Sequence, residues 1–348
     1  ANASKPSNHK ETKTRRSEKD FISQLKDGVL NQSRKSLAQA ITLIESTRED
    51  HRKNANKLIK AIMNNRKSSL RIGLSGSPGV GKSTFIESFG MLLIKNGLSV
   101  AVLAVDPSSK ETGGSILGDK TRMERLTREK NAYIRPSPNK MRLGGVEAHT
   151  RESILLCEAA GYDIIIVETV GVGQSEIAVA EITDIFCLLI APAAGDELQG
   201  VKRGITEIAD LVLINKADGK LLPIAAKTTA EYTGALRLIR KKINTPPNFP
   251  KACMISALTE KGLDEVWSEI NLYSKWQIDN NLRVLKRNLQ ALSWFNEEVE
   301  ERATKQLERL FNLSKIRKKL EDQVISGEKA PTEAADFFIK TMLKKFTF

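Results

Sequence analysis

The segment Gly76–Ser83, GSPGVGKS, has the spacing G-x-x-x-x-G-K-[ST] of a phosphate-binding loop. An apolar run precedes it and an apolar-periodic stretch follows it, which predicts a strand, a loop and a helix. Glycines in such a loop let backbone N–H groups converge on an anion at the helix N-terminus. Lys82 would add a charge for the β- and γ-phosphates, and Ser83 would offer its hydroxyl to Mg²⁺. The predicted nucleotide contacts here are Gly76, Ser77, Pro78, Gly79, Val80, Gly81, Lys82, Ser83 and Thr84.

The segment Asn215–Asp218, NKAD, follows a continuous apolar run, and its pattern N-K-x-D reads guanine in GTP-binding proteins. A carboxylate at Asp218 can accept hydrogen bonds from the guanine N1–H and N2–H₂ groups, which adenine does not supply. Alone the pattern is weak and fits an ordinary polar strand end, but behind a phosphate-binding loop it predicts a guanine site. The base would be contacted by Asn215, Lys216 and Asp218, and from a second loop by Ser256, Ala257 and Leu258.

Three carboxylates follow predicted strands or lie in glycine-rich loops. Glu168 ends the apolar run Ile164–Val167, where a Walker-B acid is expected, and the nearby Gly171 could direct its N–H to the γ-phosphate. Asp106 follows a second strand, and Asp119 lies in a glycine-rich loop. Mg²⁺ prefers oxygen ligands and keeps several waters, so one or two of these acids could act directly or through water. Each could also be an N-cap or a loop salt bridge. The predicted metal ligands are Ser83, Asp106, Asp119 and Glu168.

The position that orients the attacking water is unusual. In Ras-like enzymes a glutamine directly follows the switch glycine. Here that position is Val172, and the nearest glutamine is Gln174. Because valine cannot orient water, we expect hydrolysis by the isolated protein to be slow until a partner orders the loops.

Composition limits the remaining classes. The chain has 348 residues, and 40% of them are hydrophobic, enough for one sizeable core with helical attachments or for two modest domains. The longest apolar run, Ile185–Ala194, is too short to span a membrane, so no membrane association is expected. The three cysteines form no C-x-x-C pair and are expected to be small buried hydrophobes. The net charge of +13 is concentrated in the first 66 residues, but no nucleic-acid module accompanies it, which favours a solvated helical face.

The order of apolar patterns predicts a doubly wound, mostly parallel α/β sheet with helical extensions at both ends. Helices are expected over Phe21–Leu30, Leu37–Ser46 and Leu58–Met63, with Ser33 as an N-cap, and a last helix should begin at Pro331. Strands are expected near 70–75, 99–105, 163–168, 184–190, 211–215 and 252–255. The predicted divisions are a disordered basic tail (1–20), a helical extension (21–66), a nucleotide domain (67–275) and a C-terminal helical arm (276–348).

These residues closely resemble the MeaB/ArgK GTPases, a family that includes bacterial chaperones of adenosylcobalamin-dependent methylmalonyl-CoA mutase. The matching segments, in order, are LSGSPGVGKST, AVDPSS, GGSILGDKTRM, YIRPSP, YDIIIVETVGVGQSE, GDELQGVKRGI and NKADG. The stretch 139–142 departs from the family in being bulkier and more basic. Ser77 stands where related ATPases carry a lysine that acts across a dimer, so that mechanism is not expected here.

The resemblance implies a P-loop fold of the SIMIBI class and a homodimer formed through the C-terminal arm. It implies a GTPase that is stimulated by an acyl-CoA mutase, gates loading of cobalamin onto that mutase and protects it from inactivation. GTP or GDP and Mg²⁺ would bind this chain, and cobalamin only the partner. Three switch segments would span 106–122, 168–178 and 195–203. In the third of them, Asp196, Gln199 and Lys202 would respond to the mutase. The expected catalytic group is Lys82, Glu168, Gln174, Gln199 and Lys202.

Two other functions fit parts of the pattern. A metallochaperone GTPase shares the class of fold but needs a Cys/His cluster that this sequence lacks. An ATPase or kinase serving basic amino-acid transport conflicts with the NKAD element. The expected location is the cytoplasm, or the mitochondrial matrix in a eukaryote, with no nucleic-acid partner.

Overall fold

The computed structural model describes residues 20–105, 123–135, 143–169, 175–192, 203–238, 244–310 and 314–344. Two compact units result, and the division falls between Arg287 and Asn288. Of the predicted basic tail, only Asp20 lies within the described residues.

The N-terminal part forms helix α1 (20–30), helix α2 (Arg34–Glu45) and helix α3 (Glu49–Ile62). Ser33 is the N-cap of α2 and accepts a hydrogen bond from the Ser36 N–H, as predicted. Helix α3 begins well before the predicted start at Leu58. Its polar first half carries Glu49 and Asp50 in the first turn, where acids favour helix initiation, although few apolar residues mark it.

The first unit is built on a seven-stranded sheet with the order β3-β2-β4-β1-β5-β6-β7 and parallel pairing throughout. This confirms the doubly wound α/β fold. The strands are β1 (Leu70–Gly76), β2 (Val100–Val105), β3 (Ala132–Arg135), β4 (Ile164–Thr169), β5 (Ile185–Ile190), β6 (Leu211–Ile214) and β7 (Lys251–Met254). The helices between and after them are α4 (Lys82–Lys95), α5 (Glu124–Arg128), α6 (Leu143–Ala159), α7 (Ser175–Ile182), α8 (Arg203–Ile208), α9 (Leu222–Leu238) and α10 (Leu263–Asp279).

The edge strand β3 was not predicted from the sequence. Strand β3 has four residues and lies at the edge of the sheet, paired only with β2. Its apolar run is limited to Ala132, Tyr133 and Ile134, because Arg135 ends the run and forms an ion pair with Glu45 of α2. A strand this short carries too little alternation to be recognised alone.

Both faces of the sheet are buried, as the continuous apolar strands predict. Strand β4 is buried along its whole length. On one face Ile165, Val167 and Phe186 join a core that continues into the N-terminal helices, α6 and α7. On the other face Ile72 and Leu74 pack with residues of α4, α5 and α10. The N-terminal helices therefore belong to the same core as one face of the sheet.

The C-terminal region consists of α11 (Leu282–Leu310), α12 (Ser314–Ile325) and α13 (Pro331–Lys344). Helix α13 begins at Pro331 as predicted. In the second unit, α11 exposes a row of apolar side chains, Leu289, Leu292, Phe295 and Val299. Within the described ranges, every helix is too short or too polar to cross a bilayer.

Candidate functional site

The phosphate-binding loop connects β1 to α4 at the carboxyl edge of the sheet. Gly79 and Gly81 have φ angles of +81° and +94°, which L side chains rarely adopt. A Cβ atom at Gly81 would also lie 2.7 Å from Nδ2 of Asn215. Glycine at position 81 is therefore required both by its backbone conformation and by the close approach of the guanine motif.

Lys82 is buried in the first turn of α4 and points back over the loop. Its Nζ donates hydrogen bonds to the carbonyl oxygens of Gly76, at 2.6 Å, and Ser77, at 3.2 Å. Burial lowers the pKa of Lys82, while the carboxylates of Glu168 and Glu176 oppose that shift. A cation with adjustable donors is thus held where the loop would receive phosphate.

Of the predicted metal ligands, Glu168 and Ser83 lie within the described residues. Glu168 is buried at the end of β4, beside Leu74 of β1, and Ser83 is half-buried in the first turn of α4. A buried carboxylate and a hydroxyl are donors that Mg²⁺ accepts, so these residues fit that ion. No group of three candidate ligands is present in the part of the chain that the structure describes. The other predicted residues Asp106, Asp119, Gly171, Gln174, Asp196, Gln199 and Lys202 lie outside it.

Asn215 connects the two halves of the site. Its Nδ2 donates to the carbonyl oxygen of Val80 in the phosphate loop, and its Oδ1 accepts from the N–H of Ala257, both at 2.9 Å. The side chain is almost fully buried. Both ends of the amide are therefore used to hold one loop against the other, and Asn215 is a scaffold for the site.

Asp218 and the second loop form the predicted base-reading edge. Ser256 donates its hydroxyl hydrogen to Oδ2 of Asp218 and accepts a hydrogen bond from the N–H of Thr259. Leu258, two positions after Ser256, is 77% exposed. Lys216, two positions before Asp218, is also exposed and has a φ angle of +60°. A carboxylate fixed in orientation and an apolar side chain free to cover a ring suit a planar base with adjacent donors.

The structure also reveals buried or half-buried polar residues that were not predicted from the sequence. Ser88 of α4 donates to the carbonyl oxygen of Ala257, so it supports the second loop from below. Thr169 donates to Ser75, a contact between the ends of β4 and β1. Glu176 is fully buried in the first turn of α7. Ser75, Thr169 and Glu176 do occur within conspicuous motifs, but only tertiary packing distinguishes them from ordinary polar residues.

Comparison with known proteins gives a consistent result. The family model described as methylmalonyl Co-A mutase-associated GTPase MeaB matches residues 37–310. A mouse protein named methylmalonic aciduria type A homolog, mitochondrial, is 45% identical over 336 residues, covering 93% of this chain and 80% of that protein. The GTPase ArgK of Escherichia coli is 48% identical over 268 residues, covering 77% of this chain and 80% of that protein.

A solved structure agrees with the fold. The crystal structure of a LAO/AO transport system kinase is similar with a TM-score of 0.74 and 35% sequence identity, covering 93% of this chain and 98% of that one. The family match spans most of the chain, including the phosphate loop and the guanine motif, and curated members of similar length are named GTPases. This chain belongs to the MeaB family of GTPases.

Proposed function

We propose that this protein is a GTP-hydrolysing chaperone of an adenosylcobalamin-dependent acyl-CoA mutase, with methylmalonyl-CoA mutase as the first candidate. In this role it gates cobalamin loading and protects the mutase from inactivation. The observation that carries the proposal is that Asn215 joins the two loops predicted to bind phosphate and guanine, in a chain of this family. Homodimer formation through α11 is part of the proposal.

Selection of GTP rests on Asp218. The hydroxyl of Ser256 fixes one carboxylate oxygen, which orients the group toward a base seated between the two loops. Guanine offers two adjacent donors to such a carboxylate, whereas adenine presents an acceptor at N1. The same arrangement argues against ATP as the ligand, and therefore against the kinase reaction that the name of the similar transport system kinase indicates.

Hydrolysis requires compensation of charge on the phosphates. Lys82 is positioned to donate to the β- and γ-phosphate oxygens if it gives up a hydrogen bond to Gly76 or Ser77. Ser83, Glu168, Asp106 and Asp119 would hold Mg²⁺, which neutralises negative charge on the phosphate oxygens when bound. The buried position of Lys82 strengthens its interaction with phosphate, because less water competes there.

The packing of α7 against α8 supports coupling between the proposed second and third switches. Helix α7 follows segment 170–174, helix α8 follows the proposed third switch, and the two helices pack against each other. Val179 of α7 and Ile205 of α8 are buried in the same core. A mutase that moves the third switch would therefore displace α8, and through it the helix that fixes the end of the second switch.

The test is single-turnover GTP hydrolysis with and without methylmalonyl-CoA mutase. We expect slow hydrolysis by the protein alone and acceleration by the mutase of about 10-fold or more, since partner-supplied groups commonly give larger factors. Lys202→Ala and Gln199→Ala should reduce the ratio of the two rates toward one. Glu207→Ala, an exposed change on α8, is the matched control and should keep the ratio. Fast GTP hydrolysis by the parent protein without mutase would contradict the switch assignment. Normal stimulation of both variants by the mutase would contradict it too.

A further inference from the structure

Ser88 lies on the buried face of α4 and forms a hydrogen bond with a loop that is distant in the sequence. The residue is 5% exposed, and its hydroxyl donates to the carbonyl oxygen of Ala257 at 2.8 Å, across 169 positions. A serine in a helix can instead donate to the carbonyl oxygen four residues earlier. Hydroxyls on several other helices of the chain do so, namely those of Thr42, Thr127, Thr183, Thr229 and Ser268. The bond from Ser88 is therefore specific to the meeting of α4 with this loop.

The loop residue that accepts this hydrogen bond is shielded from water. Ala257 is 2% exposed and belongs to the same apolar core as Phe85 and Phe89. The two phenylalanine rings stack with their centroids 5.1 Å apart, and they flank Ser88 along α4. A carbonyl oxygen in such surroundings that lost its donor would be left without a hydrogen bond, which is costly. The loop would have to move to recover one.

Ala257 is held from two sides. Its N–H donates to Oδ1 of Asn215 at 2.9 Å, while its carbonyl oxygen accepts from Ser88. These two groups belong to successive peptide units, so together they fix the backbone on either side of the Cα atom. The residue directly before it, Ser256, donates its hydroxyl hydrogen to Oδ2 of Asp218. The placement of the group that orients Asp218 thus depends on α4.

We propose that Ser88 is a positioning residue for guanine recognition, because it holds the loop from which Ser256 orients Asp218. The inference rests on the proposed function, since it takes Asp218 as the group that reads the base. Ser88 acts through Ala257 and Ser256. One helix would then serve the phosphates at its first turn, through Lys82, and the base from its second turn. The expected signature is a loss of affinity that depends on the base of the ligand.

The size of the effect follows from the hydrogen bond that Ser88→Ala removes. Without it the loop no longer has one fixed geometry, and the incoming base must order the loop as it binds. A neutral hydrogen bond changes an equilibrium by at most about tenfold, so GTP binding should weaken by about threefold to tenfold. Inorganic tripolyphosphate offers phosphates without a base, and its binding should stay within about twofold of the parent. A purely structural role would weaken both ligands together.

The experiment compares the full chain with Ser88→Ala, Ser88→Cys and the control Ser268→Ala. Ser268 is an exposed serine of α10 whose hydroxyl donates within its own helix. Displacement of a fluorescent GDP analogue in the presence of Mg²⁺ gives the dissociation constants of GTP and tripolyphosphate, and the thermal midpoint is recorded in parallel. Cysteine fills nearly the same volume with a weak donor, so Ser88→Cys should lose affinity for GTP as Ser88→Ala does. The control should match the parent for both ligands.

A double-mutant cycle with Asp218→Asn tests the route through the carboxylate. If Ser88 acts through Asp218, adding Ser88→Ala to Asp218→Asn should weaken GTP binding by less than about twofold, because the contribution of the carboxylate is already lost. The full threefold to tenfold penalty in that background would contradict the route.

GTP binding within twofold of the parent in a folded Ser88→Ala variant would overturn the inference. So would an equal loss of affinity for GTP and tripolyphosphate that follows the thermal midpoint. If Ser88→Ala does not fold, Ser88→Cys decides, since affinity for GTP equal to that of the parent would assign the role to packing and not to the hydrogen bond. Failure of the parent to bind GTP would instead refute the proposed function, so the two failures are distinguishable.

Discussion

Replacing Asp218 by asparagine tests the guanine assignment with little disturbance of the fold. The two side chains have nearly the same shape, and the partner of Asp218 is the hydroxyl of Ser256. A hydroxyl can donate to an oxygen or accept from an amide, so the contact survives either orientation of the new side chain. The N–H of Thr259 continues to donate to Ser256. The loss should therefore appear in nucleotide binding and not in stability.

The magnitude follows from the hydrogen bonds at stake. A carboxylate accepts from both guanine donors, whereas an asparagine amide can accept from one and places its own N–H against the other. Losing one hydrogen bond to a charged group costs about 1.5–3 kcal/mol, which corresponds to GTP binding weaker by about 10- to 150-fold. Xanthine carries a carbonyl oxygen where guanine carries its amino group, so the amide can donate to it. XTP should gain affinity as GTP loses it.

Displacement of a fluorescent GDP analogue by GTP, XTP and ATP measures these changes. The matched control is Asp279→Asn, an exposed change at the end of α10. Parent protein and control should prefer GTP over both other nucleotides, and only Asp218→Asn should move toward XTP. Unchanged preference for GTP in a folded Asp218→Asn variant would refute the reasoning, as would equal binding of ATP and GTP by the parent.

Two further predictions concern stability and assembly. Arg287 donates hydrogen bonds to both carboxylate oxygens of the fully buried Asp184, at 2.9 and 2.6 Å. Arg287→Met should therefore lower the free energy of unfolding, measured in urea, by about 3–5 kcal/mol. The control Arg302→Met, which changes an exposed arginine, should lower it little. Burial alone would raise the pKa of Asp184, but Arg287 and Arg71 hold it below its ordinary value. The ionised Asp184 therefore stabilises the fold above the ordinary aspartate pKa, and this stabilisation is lost as the pH falls from that value through the lower pKa of the folded protein. The Arg287→Met variant should consequently start to unfold at a higher pH than the parent protein when acid is added. An unchanged urea midpoint would contradict the first claim. The assembly prediction concerns the apolar surface of α11, where Leu289 and Phe295 are 59% and 63% exposed. The double variant Leu289→Glu/Phe295→Glu should convert the proposed dimer into a monomer, as measured by light scattering. The control Glu301→Lys, on the opposite side of the helix, should leave the dimer intact. A dimer that persists in the double variant would exclude this surface.

Local pattern was sufficient for the elements that carry strong signals. The phosphate loop has fixed spacing, the central strands are apolar throughout, and the ends of α2 and α13 carry an N-cap serine and an N1 proline. Each of these signals lies within a few residues of the element it specifies. Because most strands and helices could be recognised in this way, their alternating order along the chain was enough to predict a doubly wound sheet.

Features that depend on distant residues could not be predicted this way. Arg287 and Asp184 are separated by 103 positions, and neither differs in sequence context from a solvated charge. Glu176 is an acid in the first turn of a helix, which is ordinary on any exposed helix. It is nevertheless fully buried, and its helix packs so closely on β1 that a Cβ atom at Gly73 would lie 3.0 Å from Val179; such packing becomes evident only when the sheet is assembled.

The contacts around Asn215 join the loop proposed to read the base to the loop proposed to bind phosphate. Its amide is held by Val80 on one side and Ala257 on the other, and Ser88 of the phosphate-loop helix fixes the carbonyl oxygen of Ala257. The loop proposed to read the base is therefore attached twice to the element proposed to bind phosphate. Gly81 closes the arrangement, since a side chain there would collide with Asn215. A shift of either loop breaks buried hydrogen bonds of the other, and each such loss costs about 1–3 kcal/mol. If GTP binds here as proposed, we expect correct placement of guanine and correct placement of the triphosphate to reinforce each other.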